Sequence, residues 1–349
     1  KPYIPGRAAE EVQRELKIPS VVKLASNENP LGPSSLALDI IQRRLKDISI
    51  YPDQNSIELK EVLAKRLEVD VSNLIIGNGS DEIMLLAAAT FLTAGEEAII
   101  SRNTFSTYEF CTRLMDGEPS FVDLKDYTYN LEGFAKAITN KTKLVWLCNP
   151  NNPTGTIFTQ KQLDSFLNKI PKNAIVVIDE AYNEYVESPE YPTSIKYVKE
   201  GQNVIVLRTF SKIYGLAGLR VGYGIAKTGL IKYLSLVKLP FNVNRIAQAA
   251  AVAALDDKEH LKKSLKNNQE GKKYLYSELD KMGLNYLKTE ANFIWIDVKT
   301  SADALFMRMM REGVIVRPLS SFDMLEAIRV TIGTPEQNKR FIEALKKNL

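Results

Sequence analysis

The chain is expected to fold as an α/β protein: a large domain with a mostly parallel seven-stranded sheet between helices, a smaller α+β domain and an N-terminal arm. Three features predict this. Short apolar, β-branched runs alternate with helical patterns over most of the length. Those runs are continuous rather than alternating, as in strands buried on both faces. Beyond about residue 282 the texture changes, with strand-like runs between two helical stretches.

Residues 1–30, rich in Pro, Gly and Asn, form the expected arm, packed with the small domain. In the large domain, residues 31–243, strands are expected at Leu74–Ile76, Ala98–Ile100, Phe121–Val122, Leu144–Cys148, Ala174–Ile178, Val204–Leu207 and Val221–Ile225. Helical patterns lie between several of them, at Asp81–Leu92, Leu131–Ile138 and Gln160–Leu167. Residues 244–349 open with one long helical pattern from Asn244 to about Met282. The small-domain strands follow in NFIWIDV (292–298), GVIVRP (313–318) and AIRVTIG (327–333), before a terminal helix.

Composition narrows the function. The 349 residues are 45% hydrophobic and 25% charged, as in an ordinary soluble protein with a large core. A net charge of +4, with both signs interspersed, argues against a nucleic-acid or polybasic membrane partner. No apolar stretch reaches membrane-span length, and the N-terminal residues carry no apolar signal core. Cys111 and Cys148 form no CxxC and read as buried thiols of a reducing cytoplasm. The single histidine, His260, reads as a solvated helix residue far from any site. A Ser-His-Asp triad or a His-rich metal site therefore lacks its parts.

In parallel sheets, ligands bind beyond the carboxyl ends of the strands. Four such ends carry unusual chemistry. GNGSDE (77–82) offers free N–H groups at a helix start, where Gly79, Ser80 and Asp81 could receive a phosphate; an ordinary N-cap at Ser80 would explain the same residues. NPNNPTG (149–155) makes a stiff loop presenting Asn152, or simply a turn. DEAY (179–182) ends an apolar strand in Asp179, whose burial is costly without a cationic partner unless it caps a helix. RTFSKIYGLAGLR (208–220) brings Thr209, Ser211, Lys212 and Arg220. A partly desolvated Lys212 next to Arg220 should have a lowered pKa and serve as an amine nucleophile. Together these residues ask for a ligand with a phosphate, a cationic nitrogen, a hydroxyl and an electrophile. Pyridoxal phosphate meets each demand.

SKIYGLAGLR, NPNNPTG, DEAY and GNGSDE resemble the motifs of fold-type-I, pyridoxal-phosphate-dependent aminotransferases. PYIPG (2–6), ASNENPLGPS (25–34), YPD (51–53) and IRVTIGT (328–334) are similar to those of the histidinol-phosphate aminotransferase subfamily. The resemblance implies that Lys212 is the Schiff-base lysine and Asp179 the partner of the pyridinium nitrogen. Asn152 and Tyr182 would hold the ring hydroxyl, Phe105 would stack on the ring, and Ser80, Asp81, Ser211 and Arg220 would surround the phosphate. It further implies that Tyr51 reaches the neighbouring subunit's cofactor in a homodimer, that Arg329 and Arg317 clamp the substrate's anion, and that Tyr3 and Asn29 line the substrate side. The implied reaction is transamination between histidinol phosphate and 2-oxoglutarate, giving glutamate, in a cytoplasmic enzyme of histidine biosynthesis without a metal. Ser320-Ser321-Phe322 departs from a Gly-Gly-Tyr-like turn common in the subfamily, and removes a hydroxyl near the substrate end. An aromatic amino-acid aminotransferase, a decarboxylase or β-eliminase on the same cofactor, and a non-catalytic regulator are the alternatives.

Overall fold

The computed structural model describes residues 9–349. The helix Ala9–Leu16 and the short strand β1 (Val22–Lys23) come first. The large sheet then forms from β2 (Leu74–Gly77), β3 (Glu97–Ser101), β4 (Glu118–Val122), β5 (Thr142–Cys148), β6 (Ile175–Asp179), β7 (Val204–Thr209) and β8 (Gly222–Ala226). Its order is β2-β8-β7-β6-β5-β3-β4, and only β8 runs antiparallel to its neighbours. β5, β6 and β8 are buried almost throughout, which is why they read as unbroken apolar runs.

This topology places Lys212 and Arg220 on one reversing loop. β7 ends at Thr209, the chain reverses, and β8 begins at Gly222, which pairs with both Thr209 and Gly77. Both ends of the reversing loop therefore lie at the sheet edge where β2, β5 and β6 also finish. Glycine 77, Cys148, Asp179 and Thr209 are the last residues of their strands.

The second half departs from its expected pattern in two places. The helical run from Asn244 breaks into helices Arg245–Asp256 and Lys258–Lys281. Asp257 interrupts it by leaving helical geometry and accepting a 2.9 Å bond from the N–H of His260, as an N-cap does. GVIVRP also divides, into β11 (Val314–Ile315) and β12 (Arg317–Pro318), with β9 (Asn285–Tyr286) and β10 (Phe293–Asp297) before them and β13 (Ala327–Thr331) after. β11 pairs with β1, whereas β12-β13-β10-β9 form a four-stranded antiparallel sheet. A separate apolar cluster sits under this sheet, built from Ile294, Ile296, Val330, Phe341 and their neighbours. Among the described residues no helix is long and apolar enough to cross a membrane.

The N-terminal segment joins the two sheets. Leu24 exchanges backbone bonds with Ile315 and Thr331, after which residues 25–33 cross to the loop that carries Lys212. There Gly215 adopts φ +68°, and a Cβ on it would lie 2.2 Å from the carbonyl oxygen of Gly32. Gly215→Ala combines left-handed strain with backbone collision and should cost about 3 kcal/mol. A thermal midpoint several degrees below wild type is expected; an unchanged midpoint would show that the two loops move apart freely.

Candidate active site

A cleft at the carboxyl edge of the large sheet, walled by the small sheet, is lined by nearly all the residues singled out from the sequence. At one end stands an anion cup. The helix Ser80–Phe91 starts after Gly79, an N-cap with no side-chain bond, so the N–H groups of its first turn face the cleft without a side-chain cap. The ordinary Ser80 cap considered above is not what forms. Gly79 has φ +76°, and a Cβ there would lie 2.4 Å from Nη2 of Arg220. In that space Arg220 donates to Asp81 Oδ2 at 2.9 Å and to Ser211 Oγ at 3.3 Å. The Ser211 N–H in turn donates to Thr209 Oγ1 at 3.1 Å.

At the other end of the cleft floor lies Asp179. The carboxylate is buried, and burial pushes its pKa up to about 6 despite a 2.7 Å bond from the Tyr108 hydroxyl and a 3.1 Å bond from the Ala181 N–H. Both donors are neutral. A cationic N–H in the cleft would supply the charge that these bonds do not. Tyr108 is wholly buried, stacks on Trp146 at 5.3 Å, and meets Phe105 edge-on at 5.7 Å. Phe105 lines the cleft. Cys148 also lines the floor, and burial holds its thiol up at about 12, so it stays protonated and inert.

Two further side chains converge as donors. Asn152 Oδ1 accepts from Arg329 Nη1, which turns the amide nitrogen toward the cleft. Tyr182 Oη accepts from Asn27 Nδ2 at 2.9 Å, leaving its own O–H to donate. Lys212 is half-buried, with Nζ 3.2 Å from the Ser26 carbonyl oxygen and 5.6 Å from the centre of the Tyr182 ring. Burial lowers its pKa to about 8, and Arg329 is the cation that adds to the effect. Arg220 was expected in that role; it is committed to Asp81 and Ser211 instead.

On the small-domain side, Arg329 is buried, anchored by the Ala25 carbonyl at 2.6 Å and packed over Phe293. Arg317 pairs with it across β12 and β13, so two arginines stand on one sheet face, and both line the cleft. Phe322 lines it too, its carbonyl held by Asn103 Nδ2 at 2.6 Å.

Asn29, expected on the substrate side, instead points away. Its amide nitrogen donates to the Ile213 carbonyl at 2.7 Å and to Ser264 at 2.9 Å, and it does not line the cleft. Asn27, two residues earlier and in left-handed conformation at φ 57°, faces the cleft in its place. His260 is half-buried rather than solvated, with Nε2 3.4 Å from Asn29 Nδ2, directly behind the Lys212 loop. Tyr51 lies outside the cleft of its own chain, and Tyr3 falls outside the described residues. Among the described residues no group of three or more His, Cys, Asp or Glu could hold a metal. Asn27 is a cleft residue that the motifs did not assign; Tyr108, which they do single out, lies beneath the floor as a donor to Asp179.

The profile of the family described as aminotransferase class I and II matches residues 19–345. This chain belongs to that family. It is 51% identical to a histidinol-phosphate aminotransferase of Moorella thermoacetica, over 100% of this chain and 91% of the relative. It is 48% identical to the histidinol-phosphate aminotransferase of Caldicellulosiruptor saccharolyticus, over 100% of this chain and 97% of the relative. The crystal structure of histidinol-phosphate aminotransferase from Sinorhizobium meliloti, in complex with pyridoxal-5'-phosphate, matches with a TM-score of 0.90 at 26% identity. That match covers 99% of this chain and 96% of the other.

The Tyr108 bond makes a test of the floor. It favours the ionised carboxylate, so Tyr108→Phe should raise the Asp179 pKa further above about 6. Carboxyl chemical shifts in protein labelled with ¹³C-aspartate, followed over pH, report it. A titration unchanged or moved downward would remove Tyr108 from the electrostatics of Asp179.

Proposed function

We propose that this chain is a pyridoxal-phosphate-dependent aminotransferase that converts histidinol phosphate, with 2-oxoglutarate as amino acceptor, and that it works as a homodimer in the cytoplasm. The observation that carries the reading is that one cleft joins Lys212, the buried Asp179, the Arg220 cup and the paired Arg317 and Arg329.

The residues fit the cofactor in detail. The cup of Ser80, Asp81, Ser211 and Arg220 would hold its phosphate, Asp179 would accept from the protonated ring nitrogen, and Phe105 would cover a ring face. Asn152 and Tyr182, both oriented as donors, would hold the ring oxygen as an acceptor. When bound, the cofactor supplies an aldehyde for the amine and a cationic ring that takes up the electron pair released at the substrate Cα. Asp179 would maintain that ring charge, since a carboxylate paired with a cation in a dry site is strongly stabilised. Lys212 would supply the amine that anchors the cofactor, and its Nζ, once free, would take and return the proton at the substrate Cα. Its lowered pKa, about 8, keeps a usable fraction of free base near neutrality. His260 lies behind the Asn29 layer, leaving Lys212 as the proton carrier.

Arg317 and Arg329 stand opposite each other on adjacent strands and both line the cleft, a concentration of positive charge that suits an anion. The phosphate of histidinol phosphate and the distal carboxylate of 2-oxoglutarate would use this place in turn, because a guanidinium fork suits either group. Dimerisation is supported by exposed apolar side chains at Ile48, Ile50, Leu236 and Leu239, next to Tyr51, which would reach the neighbouring cofactor phosphate.

Two variants test the reading. Lys212→Ala should bind pyridoxal phosphate, lose its covalent absorbance and form glutamate at a small residue of the wild-type rate; near-native turnover would refute the role. Arg329→Lys keeps charge without the fork. It should raise KM for histidinol phosphate and for 2-oxoglutarate together, by roughly tenfold each, about 1.4 kcal/mol. A rise for one substrate alone would break the shared-site idea.

A further inference from the structure

We propose that Phe241 is a positioning residue that acts in trans, presetting Tyr51 for the active site of the neighbouring subunit; this rests on the dimeric reading above. Tyr51 is 75% exposed on its own chain, and a tyrosine so exposed would ordinarily sample several rotamers. Here its ring lies stacked on Phe241, with centroids 4.7 Å apart and planes 25° apart.

The backbone beneath is held from the same turn and from the helix Arg245–Asp256 that follows it. Arg245 donates to the Tyr51 carbonyl at 2.8 Å, Gln248 to that of Asp53 at 2.9 Å, and Lys238 to that of Gln54 at 3.0 Å. The turn is itself fixed to the anion cup of its own chain. Asn242 Nδ2 bonds Glu82 Oε2 at 2.6 Å and the Ile76 carbonyl at 3.2 Å, and Glu82 also accepts from the Asn78 N–H.

Phe241 is a costly residue for this place. It has φ 56°, a left-handed conformation disfavoured for a bulky side chain, and it remains 41% exposed, so burial within the protomer returns little. Gly or Asn would close the turn without that strain. What a phenyl ring adds is a flat support that leaves Tyr51 largely exposed, with the ordering cost met before the subunits meet.

Hybrid dimers separate the two directions of action. In the first, one chain carries Phe241→Ala with Lys212→Ala and its partner is wild type. The only covalent site is then the wild-type chain's, served by the Tyr51 of the altered chain. In the second, Phe241→Ala and Lys212→Ala are on different chains, so the covalent site lies on the Phe241→Ala chain and receives an intact Tyr51 support. Each holoenzyme is equilibrated at graded free pyridoxal phosphate, and occupancy is read from the covalent absorbance. Relative to a hybrid with Lys212→Ala alone, the first should bind roughly threefold to tenfold more weakly, the range of a lost aromatic pair, and the second should be unchanged. Phe241→Tyr in the first arrangement should restore affinity. Because both hybrids carry the same substitutions, a general loss of stability would weaken them equally, and equal weakening would overturn the proposal. Tyr51→Ala in the first arrangement isolates the underlying reading. If it weakens binding while Phe241→Ala does not, the support role fails and the dimeric site stands. If Tyr51→Ala is also silent, both fail.

Discussion

A carboxylate at the end of a buried strand must find a positive charge, and much of this molecule is arranged around that requirement. Asp179 terminates β6 between Cys148 and Leu207, with apolar strands on either side. Its protein partners are a phenol and a peptide N–H, which soften the burial penalty without removing it. The same burial that raises the carboxyl lowers the amine of Lys212, so the cleft destabilises both charges in the absence of a ligand. A cationic ring above Asp179 and a covalent bond to Lys212 would relieve both at once. The chain would therefore hold such a ligand partly through penalties that binding removes.

Much of the site could be read before any coordinates, because the physical rule was local. Apolar β-branched runs followed at once by Asp, Asn, or Ser and Lys place polar groups at the carboxyl edge of a parallel sheet, and Asp179, Asn152, Ser211 and Lys212 meet there. What stayed hidden depended on conformation rather than composition. In SNEN either amide could face the cleft, and a left-handed turn at Asn27 decides between them. The motifs single out Tyr108 among tyrosines that mostly pack, but its reach to Asp179 from within a helix depends on the fold. His260 looked solvated because its neighbours are charged, yet its own helix face packs against the arm. The break at Asp257 was written as a capping residue inside a helical pattern, and capping won over continuity.

Arg329 ties the two ends of recognition together. Its guanidinium orients Asn152, which is assigned to the cofactor's ring, and is itself assigned to the substrate's anion. Arg220 has no such double duty, being paired with Asp81 and Ser211 around the cup. The phosphate end is thus built from one sheet and its loops, whereas the substrate end is shared between two sheets.

The strip from Ala25 to Asn29 shapes how the protein comes into being. Ala25 supports Arg329, Ser26 faces Lys212, Asn27 orients Tyr182, and Asn29 braces the loop after Lys212. The bonds from Ala25 to Arg329 and from Asn27 to Thr331 each join residues 304 positions apart. On the ribosome, a strip made early must wait for a strand made almost last, so the large sheet can mature while the catalytic cleft is still open. Closing so long a loop adds little entropy cost beyond that of a medium one, because the cost grows only with the logarithm of length. The delay is therefore one of synthesis time, and during it the nascent chain carries Lys212 and Asp179 without the late strand that anchors the strip.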